Sequence, residues 1–536
     1  MERAAAASSV PPPAADALQA APPLYGPLRL LIRSLLSVFF RRVRVTGEEH
    51  LPATGPLILV GNHPNSLLDP ALLLATVERP VAFAAKDALF RSALLRPILH
   101  GVGAVPIRRR VDVDGAEAAS AASAATASSA TATPPVDNQD AFAAMATHLG
   151  GGGAIGIFPE GCSHDEAQLL PLKTGAARIA LGALSAGSPV QIVPVGLNYL
   201  RARRFRSSVL VRFGPPLRLD PAFLADAATD PRAAARALTA QIDLGIRALT
   251  IQSDDWATLR VLETVRRLYQ PPGLSLEARV ELQRRFAAGY TRVAEQPEVK
   301  RLFAAVGRFR ERLDALDLSE RDLQRRFDGG TIVARFWRRT GPALLWLPLA
   351  LPGLLLHGPA AIATGLLAGR LTPRRDVIAT SSLFIGVALV LLTWAVLAGL
   401  MVQHDGVRAL LWLPLLPLSG WAGLRLMERY ADARELLASV WSFLRFREEI
   451  SALRRECRRL EAAVVAAVVK NLPPDLEPLF LQARLEQLGD LPTGDADWDG
   501  RDGEVAAAAM DAAGVGHDQE NEFLGAFAEL LAKEIE

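Results

Sequence analysis

Four short stretches of the chain carry residue types that can do chemistry. The first is Gly61-Asn62-His63-Pro64-Asn65-Ser66-Leu67-Leu68-Asp69-Pro70. An imidazole followed by a nearby carboxylate can form a general-base pair. The carboxylate fixes the ring tautomer and stabilises the imidazolium that forms when the other nitrogen takes a proton. Such a pair activates a hydroxyl and is worth roughly 10²–10⁴ in rate. Alone, the same two residues are more often a capped turn. The second stretch, Gly103-Ala104-Val105-Pro106-Ile107-Arg108, ends a β-rich run on Arg108, with Arg109 and Arg110 beside it. Guanidinium forks suit phosphate, although a run of three Arg alone is usually a solvated or membrane-facing loop. The third is Ile157-Phe158-Pro159-Glu160-Gly161-Cys162-Ser163-His164-Asp165, which runs on to Lys173 and Arg178. Glu160 before Gly161 puts a carboxylate on a tight turn. Lys173, Arg178 and the amides of a helix starting near Thr174 offer positive charge to an anion. The fourth, Ile192-Val193-Pro194-Val195-Gly196, reads by itself as a buried strand.

The elements that must position these residues alternate. Runs 57–60, 81–85, 103–107, 154–158, 191–195 and 209–213 are short and β-rich, whereas 71–77, 90–100, 140–149 and 174–185 have helical character. That alternation predicts an α/β layer with a largely parallel sheet. The first and third stretches then lie at carboxyl ends of strands, where open α/β sheets bind ligands. Upstream, residues 28–40 are apolar except for Arg29, Arg33, Ser34 and Ser37. Arg29, Arg33, Ser37 and Arg41 make one polar stripe on a helix too short to span a bilayer. It reads equally as an interfacial helix or as a helix packed on the domain.

The four stretches, in this order, resemble the phospholipid/glycerol acyltransferase family. Its blocks are Asn-His-x4-Asp, a Gly-x-Ile-Pro-Ile-x-Arg-like strand, Phe-Pro-Glu-Gly-x-Ser/Arg and Val-Pro-Val/Ile. The resemblance spans about residues 40–216. It implies that His63 deprotonates the acceptor hydroxyl, which attacks an acyl thioester, and that Asp69 orients His63. It further implies that Arg108 binds the acceptor phosphate, that Glu160 and Gly161 shape the acceptor site, and that Pro194 supports the pocket. No metal, cofactor or acyl-enzyme is implied, so Cys162 is a filler. Two departures stand out. The spacing is His-x5-Asp, and the usual Arg of the third block is missing. Both resemble the branch acting on glycerol-3-phosphate or dihydroxyacetone phosphate. Asn65, Ser66, Asp69, Pro70, Ser163, His164, Asp165, Pro171, Lys173 and Gly175 fill that branch's pattern. The expected substrate-binding set is therefore Asn62, Asn65, Ser66, Arg108, Glu160, Gly161, Ser163, His164, Lys173 and Arg178. Lys173 stands in for the missing Arg, with Arg178 second.

Composition sets the frame. The 536 residues are 50% hydrophobic and 22% charged, with mean hydropathy +0.20. This excludes a disordered chain, and with two cysteines it also excludes a disulfide-stapled scaffold. It is too apolar for an ordinary soluble enzyme. Residues 490–536 hold 13 acidic side chains against Arg501 and Lys533, leaving the remainder at +13. A basic body suits a membrane surface or anionic substrates, and no feature calls for nucleic acid.

The expected organisation is a disordered start (1–24) and an α/β acyltransferase domain (25–219), mostly parallel sheet flanked by helices, with a low-complexity insert (111–137). An all-α region with transmembrane or re-entrant helices follows. Its parts are a helical region (220–340), membrane-embedded helices (341–427) and an amphipathic helical region (428–489), before an acidic tail with a short terminal helix (490–536). Within 341–369, Pro352-Gly353 suggests two half-helices and a re-entrant hairpin, whereas 377–402 is long enough to span. Residues 431–471 read as one long amphipathic helix. The expectation is a membrane-bound O-acyltransferase with its catalytic domain on the cytoplasmic face. It would take acyl groups from acyl-CoA or acyl carrier protein to glycerol-3-phosphate, with membrane lipids as further partners. Acylation of a lysophospholipid such as lysophosphatidate, and a non-catalytic lipid-binding scaffold, are the alternatives. A serine hydrolase is excluded because no Gly-x-Ser-x-Gly elbow is present.

Overall fold

A computed structural model of the chain describes residues 24–107 and 139–471, apart from 87–88, 91, 94, 272, 317, 324–336, 338–340 and 342–345. The insert 111–137, the acidic tail and all but the last residue of the expected disordered start lie outside the described residues. The chain divides into two compact units, Met1–Thr250 with Arg374–Thr380, and Ile251–Pro373 with Ser381–Glu536.

The first unit is built on a seven-stranded sheet. Its strands in chain order are β1 (Arg42–Thr46), β2 (Leu57–Gly61), β3 (Val81–Lys86), β4 (Val105–Ile107), β5 (Ala154–Ile157), β6 (Gln191–Tyr199) and β7 (Ser208–Phe213). The spatial order is β1-β7-β6-β2-β5-β3-β4. Every pairing is parallel except β6 with β7. The alternation of strand and helix is thus realised as a mostly parallel sheet. Helices on both faces explain why β2, Leu-Ile-Leu-Val-Gly, is buried along its whole length rather than at alternate residues.

The helices of this unit are α1 (Tyr25–Phe39), α2 (Leu68–Thr76), α3 (Leu95–Gly101), α4 (Gln139–Gly150), α5 (Gly175–Ser185), α6 (Pro221–Thr229) and α7 (Pro231–Leu249). One core cluster joins Ile58 and Ile155 to Met145 and Leu149 of α4, Ala177 and Ala180 of α5, and Leu238, Ile242 and Ile246 of α7. The unit therefore runs past residue 219. Gly245 lets α7 approach Pro194 so closely that a Cβ there would lie 3.1 Å from the proline ring. β1 was not expected. Its Arg-Val-Arg-Val-Thr alternation is a half-buried edge strand next to β7.

Helix α1 packs on the domain through one face and exposes apolar side chains on another. Tyr25, Leu36 and Phe39 are buried, while Leu24, Leu30, Leu31 and Val38 are exposed. Arg29, from the polar stripe, faces inward and donates to the carbonyls of Leu74 (3.0 Å) and Val77 (2.7 Å). It satisfies carbonyls that the end of α2 leaves unpaired.

The regular elements of the second unit, among its described residues, are helices: α8 (Trp256–Tyr269), α9 (Leu276–Val293), α10 (Pro297–Ala315), α11 (Glu320–Leu323), α12 (Leu347–Leu371), α13 (Ile378–Asp405, of which Ile378–Thr380 count with the first unit), α14 (Leu415–Arg445) and α15 (Arg447–Asn471). Leu268, Tyr269, Val306, Phe309, Leu453, Cys457 and Val464 form its core.

The structure corrects three sequence expectations here. Residues 347–371 form one continuous helix through Pro352 and Pro359, not a re-entrant pair. Packing along α14 favours one continuous helix over two halves. Gly353 serves instead as a contact point, since a Cβ there would lie 2.0 Å from the Ser419 carbonyl oxygen of α14. The boundary at 427/428 falls inside α14. The single helix expected over 431–471 is two, with Phe446 between α14 and α15.

Two segments are long and apolar enough to cross a membrane, Leu347–Leu371 and Arg375–His404. At 1.5 Å per residue, 25 residues span about 37 Å, enough for a hydrocarbon core of about 30 Å.

Candidate active site

Two parallel neighbours set the geometry. β2 and β5 run in register, Val60 opposite Ile157, so Asn62-His63 and Phe158-Pro159-Glu160 leave the same sheet edge side by side. The rings of His63 and Phe158 stack with centroids 4.3 Å apart. Glu160 is buried, and its Oε1 accepts from the His63 backbone N–H at 2.7 Å. The His164 N–H donates to the His63 carbonyl at 3.2 Å. The backbone of His63 is thus held on both sides by one turn.

The His63 side chain is held by Asp69. Its Nδ1 lies 2.8 Å from Asp69 Oδ2. Ser66, in the left-handed region at φ 47°, turns the chain so that α2 starts with Asp69 in its first turn. Asp69 is 0% exposed. Beyond His63 it accepts from the Asn65 N–H at 2.7 Å and from the Tyr199 hydroxyl at 2.5 Å. A buried carboxylate needs such partners. Burial first, and then the Asp69 charge, push the Tyr199 phenol well above its ordinary value, so it remains a donor. With Nδ1–H directed at Asp69, Nε2 is the nitrogen left to accept a proton. No partner is recorded for it among the described residues.

The other expected residues separate into groups. Asn62 pairs with the backbone of Leu197 in both directions, at 3.1 and 2.7 Å, and ties the loop to β6. Asn65 is buried and donates to the Ala202 carbonyl at 2.9 Å. Both side chains are occupied in holding the loop. Glu160 Oε2 accepts from the Leu170 N–H at 2.9 Å and from His164 Nε2. Burial lowers the His164 pKa, but the bond to Glu160 and the charges of Glu160, Glu166 and Asp376 outweigh it, so the net shift is upward.

Gly161 sits at φ 74°, where a Cβ would lie 2.5 Å from Lys173 Nζ. A glycine here lets the ammonium approach the turn. Lys173 has no recorded carboxylate partner among the described residues, and its backbone N–H bonds the Pro159 carbonyl at 2.8 Å. Arg178 instead lies over the Phe142 ring at 5.2 Å, and no recorded side-chain contact ties it to this edge. Ser163 does not present a free hydroxyl, because its Oγ donates to Asp376 at 2.6 Å. Arg108 lies outside the described residues. The strand before it, β4, is third from β2 across the sheet, about 14 Å away at the usual strand spacing. Cys162 is a free thiol. Among the described residues no group of three or more His, Cys, Asp or Glu is arranged to hold a metal.

Sequence reasoning missed Tyr199, Arg374 and Asp376. Tyr199 is the last residue of β6, just beyond the Val-Pro-Val block, and that position was its only signal.

A His–Asp pair thus stands at the carboxyl edge of a mostly parallel sheet, stapled to a Phe-Pro-Glu-Gly turn. Residues 42–198 match the family described as Acyltransferase, and residues 261–477 match the Glycerol-3-phosphate acyltransferase 2 C-terminal domain, so the chain joins the two. Three curated relatives are each 26% identical. An uncharacterized acyltransferase of Schizosaccharomyces pombe aligns over 70% of this chain and 66% of its own length. Glycerol-3-phosphate O-acyltransferases 2 and 1 of Saccharomyces cerevisiae align over 55% and 70% of this chain and 52% and 59% of their own lengths. The chain thus spans about half to two thirds of the length of these relatives.

Proposed function

We propose that the chain transfers an acyl group from a thioester to a hydroxyl of glycerol-3-phosphate. The observation that carries this reading is the His63–Asp69 pair at 2.8 Å, with no partner recorded for Nε2 among the described residues. Likeness over both halves to proteins named glycerol-3-phosphate O-acyltransferases supports the acceptor.

His63 Nε2 accepts the hydroxyl proton as the oxygen attacks the thioester carbonyl. Asp69 stabilises the imidazolium. When the tetrahedral intermediate collapses, the C–S bond breaks and the thiolate takes the proton from His63. No acyl-enzyme, metal or cofactor enters, and the donor is acyl-CoA or acyl carrier protein. Lys173 and Arg108 bind the acceptor phosphate as charge partners.

We read the chain as a membrane protein with this domain on the cytoplasmic face. Leu355, Ile362, Leu391, Leu392 and Val396 are each more than half exposed on the two apolar helices, as lipid-facing side chains would be. Donor and product are both amphiphilic, so an enzyme at the interface takes one and releases the other without crossing water.

The test is acyl transfer by membranes expressing the chain, with His63→Ala as the blank. Labelled glycerol-3-phosphate, dihydroxyacetone phosphate and lysophosphatidate are offered in parallel. Product from glycerol-3-phosphate, lost in the variant, is expected. Product from lysophosphatidate alone moves the reading to the second acylation. Turnover unchanged in His63→Ala removes His63 as the base.

A further inference from the structure

The connection between the two apolar helices does not fold with the bulk of either. Residues 374–380 belong to the first unit, where they meet the two loops of the candidate site. Ser163 Oγ donates to Asp376 Oδ2 at 2.6 Å, across 213 positions of sequence. Arg374 Nη2 donates to the Ser163 carbonyl at 2.9 Å, reaches Ser163 Oγ at 3.4 Å and pairs with Asp376 Oδ2 at 2.7 Å. Its Nε lies 3.3 Å from Asp376 Oδ1. Thr380 Oγ1 donates to the Asn65 carbonyl at 3.4 Å. Asp376 and Thr380 are 6% and 5% exposed.

A carboxylate buried to this degree is costly unless charge and hydrogen bonds compensate it. Here it has a guanidinium and a hydroxyl, so the contact is a built one. The hydroxyl and the carbonyl of Ser163 are both engaged by this segment.

We propose that Asp376 and Arg374 are positioning residues of the acyl-transfer site: they latch the Glu160–His164 turn and, through it, the main chain of His63. This rests on the acyl-transfer reading above. The same turn carries Glu160, which receives the His63 N–H, and His164, whose N–H holds the His63 carbonyl. Lys173 is bonded at the other end of the turn, to Pro159. A turn that drifts therefore changes the distance between the base and the cation expected to hold the acceptor. Misplacement of about 1 Å in such a pair can cost on the order of 100-fold in rate.

The experiment uses the full chain in lipid nanodiscs. Asp376→Ala, Ser163→Ala and the double variant are compared with the unaltered chain. Each single variant is expected to lower kcat roughly 10- to 100-fold, with KM for the acyl thioester changed by no more than about twofold. The double variant is expected to be no slower than the slower single, because both changes remove one bond. Asp376→Asn, which keeps an acceptor for Ser163, should recover part of the loss and also serves if Asp376→Ala folds poorly. Losses that add in the double variant, or an unchanged kcat in Asp376→Ala, overturn the proposal.

Hydrogen exchange gives a readout independent of turnover. Amides 160–173 should exchange faster in Asp376→Ala and in Ser163→Ala. If the unaltered chain acylates no glycerol phosphate, the functional reading fails while this measurement still decides the latch. Exchange unchanged in both variants removes the latch.

Discussion

Two histidines, one in each unit, show how differently the same ring is used. His63 has a carboxylate on Nδ1, an aromatic ring against one face, and Nε2 with no recorded partner among the described residues. His357, on α12, donates from Nδ1 to the Gly353 carbonyl at 2.9 Å and accepts on Nε2 from the Trp394 indole of α13 at 2.8 Å. Both of its nitrogens are engaged by neutral groups. A proton relay needs an open nitrogen and a charge to stabilise the imidazolium. His63 has both, and His357 has neither. His357 is a bracket between apolar helices, with both ring nitrogens engaged.

The largest effect should come from removing the charge that separates the two cases. Asp69→Asn leaves a side chain of the same shape beside His63 but no countercharge, and it favours the wrong tautomer. Acyl transfer should fall by roughly 10²–10⁴ in kcat. Initial rates at saturating donor and acceptor check this. A rate close to that of the unaltered chain would mean that His63 works without its carboxylate, and the contrast with His357 would lose its basis.

Tyr199→Phe sharpens the same contrast more gently. It deletes the donor to Asp69 Oδ1 and leaves a buried carboxylate oxygen short of a partner. That should destabilise the first unit by about 1–3 kcal/mol. The kcat loss should be smaller than that of Asp69→Asn, because the bond to His63 remains. Thermal unfolding read beside turnover separates the two effects. Loss of turnover as complete as in Asp69→Asn, with no loss of stability, would make Tyr199 a participant in the chemistry instead of a support for Asp69.

Much of the first unit was legible because its signals are local. Short β-rich runs alternating with helical stretches predict the sheet, and six of its seven strands lie where the sequence placed them. β1 escaped because Arg-Val-Arg-Val-Thr at a sheet edge is only half buried and follows an apolar helix. His63, Asp69, Glu160 and Gly161 come together as their types and strand-end positions implied. The roles that failed to appear are those set by long-range contact. Asn62 and Asn65 look like ligands in a motif, yet their amides are spent on the backbone of distant residues. Lys173 and Arg178 are both candidate cations in sequence, in that order, and it is packing that places Arg178 over Phe142. Ser163 reads as a substrate contact until the chain returns with Asp376. In the second unit, Pro352-Gly353 read as a break. The close approach of Gly353 to the Ser419 carbonyl of α14, along a helix that stays whole, is a long-range contact that no local signal carries.

The bracket can be broken directly. Trp394→Phe leaves His357 Nε2 without its donor and should lower the stability of the apolar helices by about 1 kcal/mol, the usual scale for a hydrogen bond between such helices. His357→Leu, which removes both ring nitrogens, should be close to neutral when combined with Trp394→Phe. Neither variant should change kcat. Stability in detergent micelles, followed by loss of helical signal on heating, checks the first statement. Turnover falling in proportion to a change at His357 would give that ring a role in the chemistry and erase the distinction from His63.

The smallest expected effect concerns a third histidine, His164, which shares a carboxylate partner with the His63 case but, like His357, has both ring nitrogens engaged. Burial lowers its pKa, but the Glu160 hydrogen bond and the Glu160, Glu166 and Asp376 charges raise it further, so the folded value lies above the ordinary 6.5. A raised histidine binds its proton more tightly in the folded state. Its contribution to stability is therefore complete below the unfolded value near 6.5 and is lost as pH rises through the higher folded value. The unaltered chain should show stability falling with rising pH across that window. His164→Gln, which keeps a donor for Glu160 but cannot titrate, should flatten that fall while leaving the midpoint at alkaline pH nearly unchanged. A slope that survives in His164→Gln assigns the titration to another group, and the Glu160 turn would then be held by hydrogen bonds alone.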